Sequence, residues 1–163
     1  MRRIVFAMSA VLALAVMAVP ANAQLKFGAH VAMISGLAEA NQLQGEFGFG
    51  ARGGLELPAL PVGVYASATY FMPDCDDCTY WTGSLFAKAG LPLPVSPYLL
   101  GGVQRRAAEV GGLENAENGF FVGAGVGLGA LFLEGTMEFN EDDPMFPNID
   151  NDPIVFKAGF TLG

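Results

Sequence analysis

Apolar side chains recur at every second position through most of this 163-residue chain, and that period favours β-strands over helices. Successive side chains of a strand point to opposite faces, whereas a helix repeats its apolar face every three to four residues. The alternation is clear in seven segments, which are 25–33, 46–57, 62–72, 80–91, 119–129, 131–140 and 154–162. An eighth segment, 97–106, is also expected to be a strand. It is apolar on both parities over 98–103, so its facing stays open.

Segment 119–129 is apolar enough to be mistaken for a buried helix. Its glycines nevertheless all have odd numbers: 119, 123, 125, 127 and 129. A strand places such a set on one face, and a helix would scatter it around the circumference. The segment is therefore predicted to be a strand.

The step from this strand to the next predicts a two-residue hairpin turn at Gly129-Ala130. In such a turn Leu128 faces Leu131, and the apolar parity must change from even to odd. The sequence shows that change, because the apolar set is even-numbered before the turn and odd-numbered after it. A helix predicts no such switch.

The predicted connections alternate between short and long. Three are short (57–62, 91–97 and 128–131), and four are mostly longer and polar (34–45, 73–79, 107–118 and 141–153). Short turns at one end and longer loops at the other are typical of transmembrane barrels, as are strands of about 9–11 residues. The sequence therefore predicts an all-β fold: an eight-stranded antiparallel up-and-down transmembrane β-barrel.

The first 23 residues have the features of a secretory signal peptide. A charged start, Met1-Arg2-Arg3, precedes an apolar run over 4–19 broken only by Ser9, and Pro20-Ala21-Asn22-Ala23 provides small residues for cleavage after Ala23. The alternative is an anchor helix, which needs about 20 apolar residues. We expect residues 1–23 to be removed and 24–163 to form one exported barrel domain.

The composition agrees with a barrel in a membrane. Hydrophobic residues make up 52% of the chain and the mean hydropathy is +0.41, while charged residues make up 15%, against about 25% in soluble domains. The formal net charge of −8 disfavours nucleic acid as a partner, because phosphate binding needs clustered Lys and Arg.

Alternation alone does not distinguish a membrane barrel from a soluble barrel with an apolar interior. The polar face is mainly glycine, serine and threonine, which suit a crowded lumen better than a wet exterior. Eight charged residues, four of each sign, also fall on this face: Lys26, Glu46, Arg52, Glu56, Lys88, Glu134, Glu138 and Lys157. Charges in a narrow interior must be paired. We therefore expect a lumenal network of ion pairs.

Other polar residues offer weaker candidates. Cys75 and Cys78 are expected to form a loop disulfide after export, with a metal or redox site and free thiols as alternatives. The acidic segment 141–152 is expected to be solvated, because it lacks the spacing of a calcium loop. His30 is expected to be a lumenal hydrogen-bonding partner, with a catalytic base as the alternative.

Three aromatic residues, Tyr70, Trp81 and Tyr98, are expected to lie at the membrane interfaces. The sequence assigns no catalytic residue, cofactor site or metal site.

The chain resembles the small outer-membrane β-barrel superfamily, the OmpA/OmpX-like surface proteins. The resemblance is carried by the signal peptide, by the strand-turn-strand stretch 122–139 and by the closing strand 155–162. It implies an eight-stranded barrel in the outer membrane. Members usually end in an aromatic residue that the assembly machinery recognises, and this chain departs from that pattern, ending in Gly163 with Phe160 three positions earlier.

Eight strands leave an interior filled by side chains, so a general porin is not expected. The favoured function is a non-enzymatic, monomeric surface protein, surrounded by outer-membrane lipid and contacting an extracellular partner through its loops. Two alternatives stay open. One is a soluble periplasmic lipocalin-like ligand-binding barrel, and the other is an outer-membrane lipid-modifying enzyme that uses His30.

Overall fold

The structure, a computed structural model, describes residues 24–35, 47–57, 61–72, 78–110, 113–140 and 154–163. Its eight strands are β1 (Gln24–Ser35), β2 (Phe47–Leu57), β3 (Val62–Phe71), β4 (Cys78–Gly90), β5 (Val95–Val110), β6 (Leu113–Leu128), β7 (Leu131–Asn140) and β8 (Ile154–Leu162). Each strand pairs antiparallel with the next, and β1 pairs with β8 to close the barrel. The predicted eight-stranded up-and-down barrel is confirmed.

The hairpin between β6 and β7 has the predicted geometry. Leu128 and Leu131 are paired, and the two turn residues between them are Gly129 and Ala130. Gly129 has a φ of 60°, in the left-handed region that favours glycine.

The prediction of a long loop over 107–118 is wrong. The pairing of β5 with β6 continues from Val95 and Leu128 as far as Val110 and Leu113, so only 111–112 connect the two strands. The polar residues of this stretch suggested a loop. These residues instead belong to the β5–β6 hairpin. Its β6 strand extends beyond Gly119, which pairs with Asn140, the last residue of β7.

The apolar face of the strands points outwards. Leu99, Val31 and Phe27 have 69%, 58% and 58% of their surface exposed, whereas Tyr65 is 1% exposed and Glu134 is 3% exposed. This direction is the one predicted for a barrel surrounded by lipid. In a soluble barrel with an apolar pocket, this face would point inwards.

The structure also gives the facing of β5. Tyr98, Leu100 and Gln104 are buried in the interior, and Leu99 and Val103 are exposed on the outside. Several sequence predictions lie outside the described residues: the signal peptide 1–23, Glu46, Cys75 and the acidic segment 141–152. The described part of the chain contains no helix that is long and apolar enough to cross a membrane.

The two ends of the barrel differ. We call the end with segments 58–61, 91–94 and 129–130 the turn end, where Gln24 and Gly163 also lie. The other end, with segments 36–46, 72–77, 111–112 and 141–153, is called the loop end.

Candidate functional site in the barrel interior

A buried ion pair occupies the middle of the interior. Arg52 of β2 lies 2.6 Å from Glu134 of β7, with only 3% and 2% of the two side chains exposed. The Tyr98 hydroxyl also donates a hydrogen bond to Glu134 Oε1 at 2.8 Å. Arg52 Nε donates to Thr161 Oγ1 at 3.0 Å, and Arg52 Cζ lies 3.3 Å from the ring centroid of Phe132. The guanidinium thus has polar partners and an aromatic face, as a buried charge requires.

A second carboxylate lies nearer the loop end. Glu138 of β7 forms an ion pair with Arg106 of β5 and accepts a hydrogen bond from Gln104 Nε2 at 3.0 Å. Arg106 was not among the predicted network residues, because the facing of 97–106 could not be read from a segment that is apolar on both parities. The inward parity of Glu138 was the available signal in the sequence, since a carboxylate inside the barrel needs a cation.

At the turn end the network is more open to solvent. Lys88 lies 2.6 Å from Glu56, and these side chains are 20% and 30% exposed. The Tyr65 hydroxyl donates to Glu56, and Lys26 Nζ donates to the carbonyl oxygen of Gly163. The side chains of Lys26, Glu56, Tyr65 and Lys88 border a cavity of about 80 Å³.

Of the eight predicted network residues, the structure brings Arg52 together with Glu134 and Lys88 together with Glu56. Lys157 lies opposite Glu134 in the register of β7 and β8, with its ammonium 5.8 Å from the ring centroid of Phe121. Lys26 lies at the turn end, Glu138 pairs with Arg106, and Glu46 is not described.

His30 is buried in the lumen, 4% exposed, and its Nε2 is 2.9 Å from Thr69 Oγ1. Its Nδ1 has no hydrogen-bond partner among the described residues. A void of about 10 Å³, bordered by His30, Ser67 and Lys157, lies beside it. That volume is close to the minimum needed for one water molecule, and the surrounding groups are polar enough to bind it.

The interior also contains large aromatic side chains that the sequence analysis missed. Those buried among the described residues are Tyr65, Phe71, Tyr80, Phe86, Tyr98, Phe121 and Phe132. The prediction that Tyr98 is an interfacial aromatic is wrong, because its ring is 5% exposed and its hydroxyl binds Glu134 inside the barrel. Tyr70 and Trp81 do face outwards, at 39% and 42% exposed.

The aromatic residues form two clusters. Tyr65, Phe86, Tyr98, Leu100 and Phe121 pack together, with the rings of Tyr65 and Phe86 stacked at a centroid distance of 5.5 Å. The second cluster, nearer the loop end, contains Ala32, Ile34, Phe71, Tyr80 and Val155. Together with the ion pairs, these clusters fill the cross-section of the barrel.

The interior glycines make room for these rings. A Cβ added to Gly54 would lie 2.4 Å from Tyr65, one added to Gly48 would lie 2.7 Å from Phe71, and one added to Gly50 would lie 2.5 Å from His30. Glycine on the inward parity therefore has a packing reason in addition to the narrowness of the lumen.

The chemistry of the interior is that of a packed, charge-paired core. Within the described ranges, no group of three or more His, Cys, Asp or Glu side chains could hold a metal ion. Substrate access to His30 would require the surrounding side chains to move, because the adjacent void holds at most about one water molecule.

Comparison with solved structures identifies proteins of the same fold. The N-terminal β-barrel domain of Pseudomonas aeruginosa OprF is 14% identical, with a TM-score of 0.57, and the match covers 86% of this chain and 98% of that one. Neisserial surface protein A (NspA) is 15% identical, also with a TM-score of 0.57, over 85% of this chain and 96% of that one. No protein-family model and no curated protein sequence matches the chain. The shared feature is the fold of small outer-membrane β-barrels.

Proposed function

Because the chain has the fold of the small eight-stranded outer-membrane β-barrels, we propose that it is a non-enzymatic surface protein of the outer membrane. The observation that carries this proposal is the outward direction of the apolar face around a closed barrel. Such a surface is stable when hydrocarbon covers it, and it would aggregate in water.

The filled interior supports a structural or interaction role over transport. Buried ion pairs and two aromatic clusters occupy the lumen, and the cavities beside them measure about 10 and 80 Å³. An eight-stranded barrel is normally filled by side chains in this way. The part of the molecule that is free to contact a partner is then the loop end, where the acidic segment 141–152 lies in the sequence. We propose that an extracellular partner binds there.

The alternatives have less support. A lipocalin-like carrier needs the apolar face of its strands to line an internal ligand pocket, and here that face points outwards. A lipid-modifying enzyme using His30 needs lipid to reach that side chain, and His30 is 4% exposed and bonded to Thr69. For this second alternative, His30→Ala is the direct test, and the surface-protein proposal expects an unchanged lipid profile.

Fractionation tests the placement of the protein. The processed chain is expected in the outer-membrane fraction, with a gel mobility that changes on heating because a folded barrel migrates differently from the unfolded chain. Recovery in the soluble periplasmic fraction, without a mobility change, would contradict the proposal.

The surface role needs a second measurement on intact cells. An epitope inserted in segment 141–153 should bind antibody added from outside, whereas the same epitope inserted after Gly129, at the turn end, should bind only after the outer membrane is permeabilised. Binding at the turn-end position alone in intact cells would show the opposite orientation and would remove the proposed partner surface from the cell exterior.

A further inference from the structure

The turns at the turn end have an unusual chemistry for segments expected in water. Residues 57–62, 89–97 and 128–131 contain no charged residue, and their only hydroxyl side chain is Ser96. Leu91, Leu93, Leu128 and Leu131 are each more than half exposed there. Exposed apolar surface of this kind needs a covering partner.

The outward-facing apolar stretches of β5 and β6, the strands that adjoin these turns, are short. On β5 the outward residues are uncharged and apolar from Val95 to Val103, and the next outward residue is the exposed Arg105. On β6 the stretch runs from Leu128 to Phe120, and the next outward residue is the exposed Asn118. Each stretch spans eight residue steps, which is about 20 Å along the barrel axis at the usual rise and tilt.

That height is less than the apolar layer that a transmembrane barrel normally spans, which is about 25 Å. On β5 and β6 the apolar surface cannot extend further towards the loop end, because Arg105 and Asn118 are polar and exposed. The missing apolar height lies at the turn end, where the apolar surface continues without interruption from Val95 to Leu93 and Leu91.

The backbone of the turn 91–97 also suits a non-aqueous environment. Leu91 N donates to the Pro97 carbonyl at 3.0 Å, and Leu93 N donates to the Leu91 carbonyl at 2.9 Å. Pro92, Pro94 and Pro97 have no N–H to satisfy. The Ser96 hydroxyl, the polar side chain of this turn, donates to the carbonyl oxygen of Leu91. Backbone polar groups in lipid must be paired within the protein.

We propose that the apolar outer surface of the turn end is immersed in the membrane, with turns 91–97 and 129–130 at the level of the acyl chains of the adjacent leaflet. The partner of this surface is therefore phospholipid, and the surface continues the lipid-facing belt of the strands. This inference rests on the proposed membrane location, and it adds the depth at which the barrel sits.

Nitroxide depth measurements test the proposal. The background is the full barrel with Cys75→Ser and Cys78→Ser, folded into phosphatidylcholine nanodiscs, in which both faces of the membrane are open to buffer. Spin labels are attached to Leu93→Cys and Ala130→Cys at the turn end, to Leu99→Cys within the belt and to Arg105→Cys beyond it. Collision rates are measured with dissolved oxygen, which concentrates in lipid, and with a water-soluble nickel chelate. All four side chains are exposed, so these labels should not disturb packing.

We expect labels at Leu93 and Ala130 to match the label at Leu99, with high oxygen and low nickel accessibility, while the label at Arg105 shows the reverse. If the turn-end labels match Arg105 and Leu99 stays protected, the turns lie in water and the inference is overturned, although the membrane location stands. That result would instead favour a periplasmic protein as the partner of the apolar turns. Nickel access at Leu99 would overturn the membrane location itself.

Discussion

The ring of Tyr98 on β5 occupies the space that a side chain at Gly125 on β6 would need. The two residues are directly paired in the sheet, and a Cβ added to Gly125 would lie 2.6 Å from Tyr98 Cζ and 2.7 Å from the carbonyl oxygen of Leu133. The hydroxyl of the same ring binds Glu134 at 2.8 Å. Glycine at position 125 thus leaves room for the Tyr98 ring, and the ring can place its hydroxyl against Glu134.

We expect Gly125→Ala to lower the free energy of unfolding by about 1–3 kcal/mol, because an added methyl group overpacks the interior. Gly127→Ala is the matched control: it lies on the same strand and the same parity, but the nearest atom to its added Cβ is 3.7 Å away. That control should be neutral or slightly stabilised, since alanine restricts the unfolded chain. Denaturant unfolding in lipid vesicles measures both variants. Equal losses would show that the Tyr98 contact does not limit residue size.

The stability of the barrel should depend on keeping both partners of the Arg52–Glu134 ion pair. Because both side chains are almost fully buried, Glu134→Leu should destabilise the barrel by about 3–5 kcal/mol, leaving Arg52 without its counter-ion. The double variant Arg52→Met/Glu134→Leu should recover much of that loss, because no unpaired charge from the pair remains. Unfolding free energies of the single and double variants give the coupling.

The partly exposed pair Lys88 and Glu56 provides the comparison for that cycle. Glu56→Gln should cost no more than about 1 kcal/mol, because solvent screens a pair that is 20–30% exposed. A loss as large as that of Glu134→Leu would mean that burial does not set the strength of these pairs.

The sequence predicted the strands and their pairing better than the contents of the barrel. Alternation reports a face only where the two faces differ chemically, as on β7, where Leu131 and Leu133 face outwards and Glu134 faces inwards. On β5 both Leu99 and Leu100 are apolar, so neither parity could be assigned to the interior. The inward positions of Tyr98 and Arg106 could therefore not be predicted.

The packing of the interior aromatic residues was missed for a different reason. Tyr65 and Phe86 lie on the parity opposite the apolar set of their strands, so the sequence indicates their inward direction but not the rings that they contact. Only the closed barrel brings Phe86 and Phe121, from β4 and β6, to a centroid distance of 5.9 Å. That contact depends on register and curvature, which a pattern along one strand does not contain.

Trp81 gives a direct test of which face meets lipid. It is the only tryptophan in the sequence and is 42% exposed on the outside of β4. In vesicles of brominated phospholipid its fluorescence should fall, because the bromine atoms lie in contact range of an outward ring. Added hydrophobic ligand should leave the emission unchanged. A response to ligand without quenching by lipid would instead favour a pocket-facing tryptophan.

The packed interior should also prevent steady ion flow. The ring cluster of Tyr65, Phe86 and Phe121 lies across the path between the turn-end cavity and the loop end, next to the paired Arg52 and Glu134. In planar bilayers we expect the native barrel to show no long-lived conducting level. The variant Phe86→Ala/Phe121→Ala, accepted only if it keeps the heat-dependent gel shift, should conduct more often, because it removes two rings from one layer. Stable conductance by the native protein would show that the interior rearranges, and equal traces from both proteins would place the barrier elsewhere in the lumen.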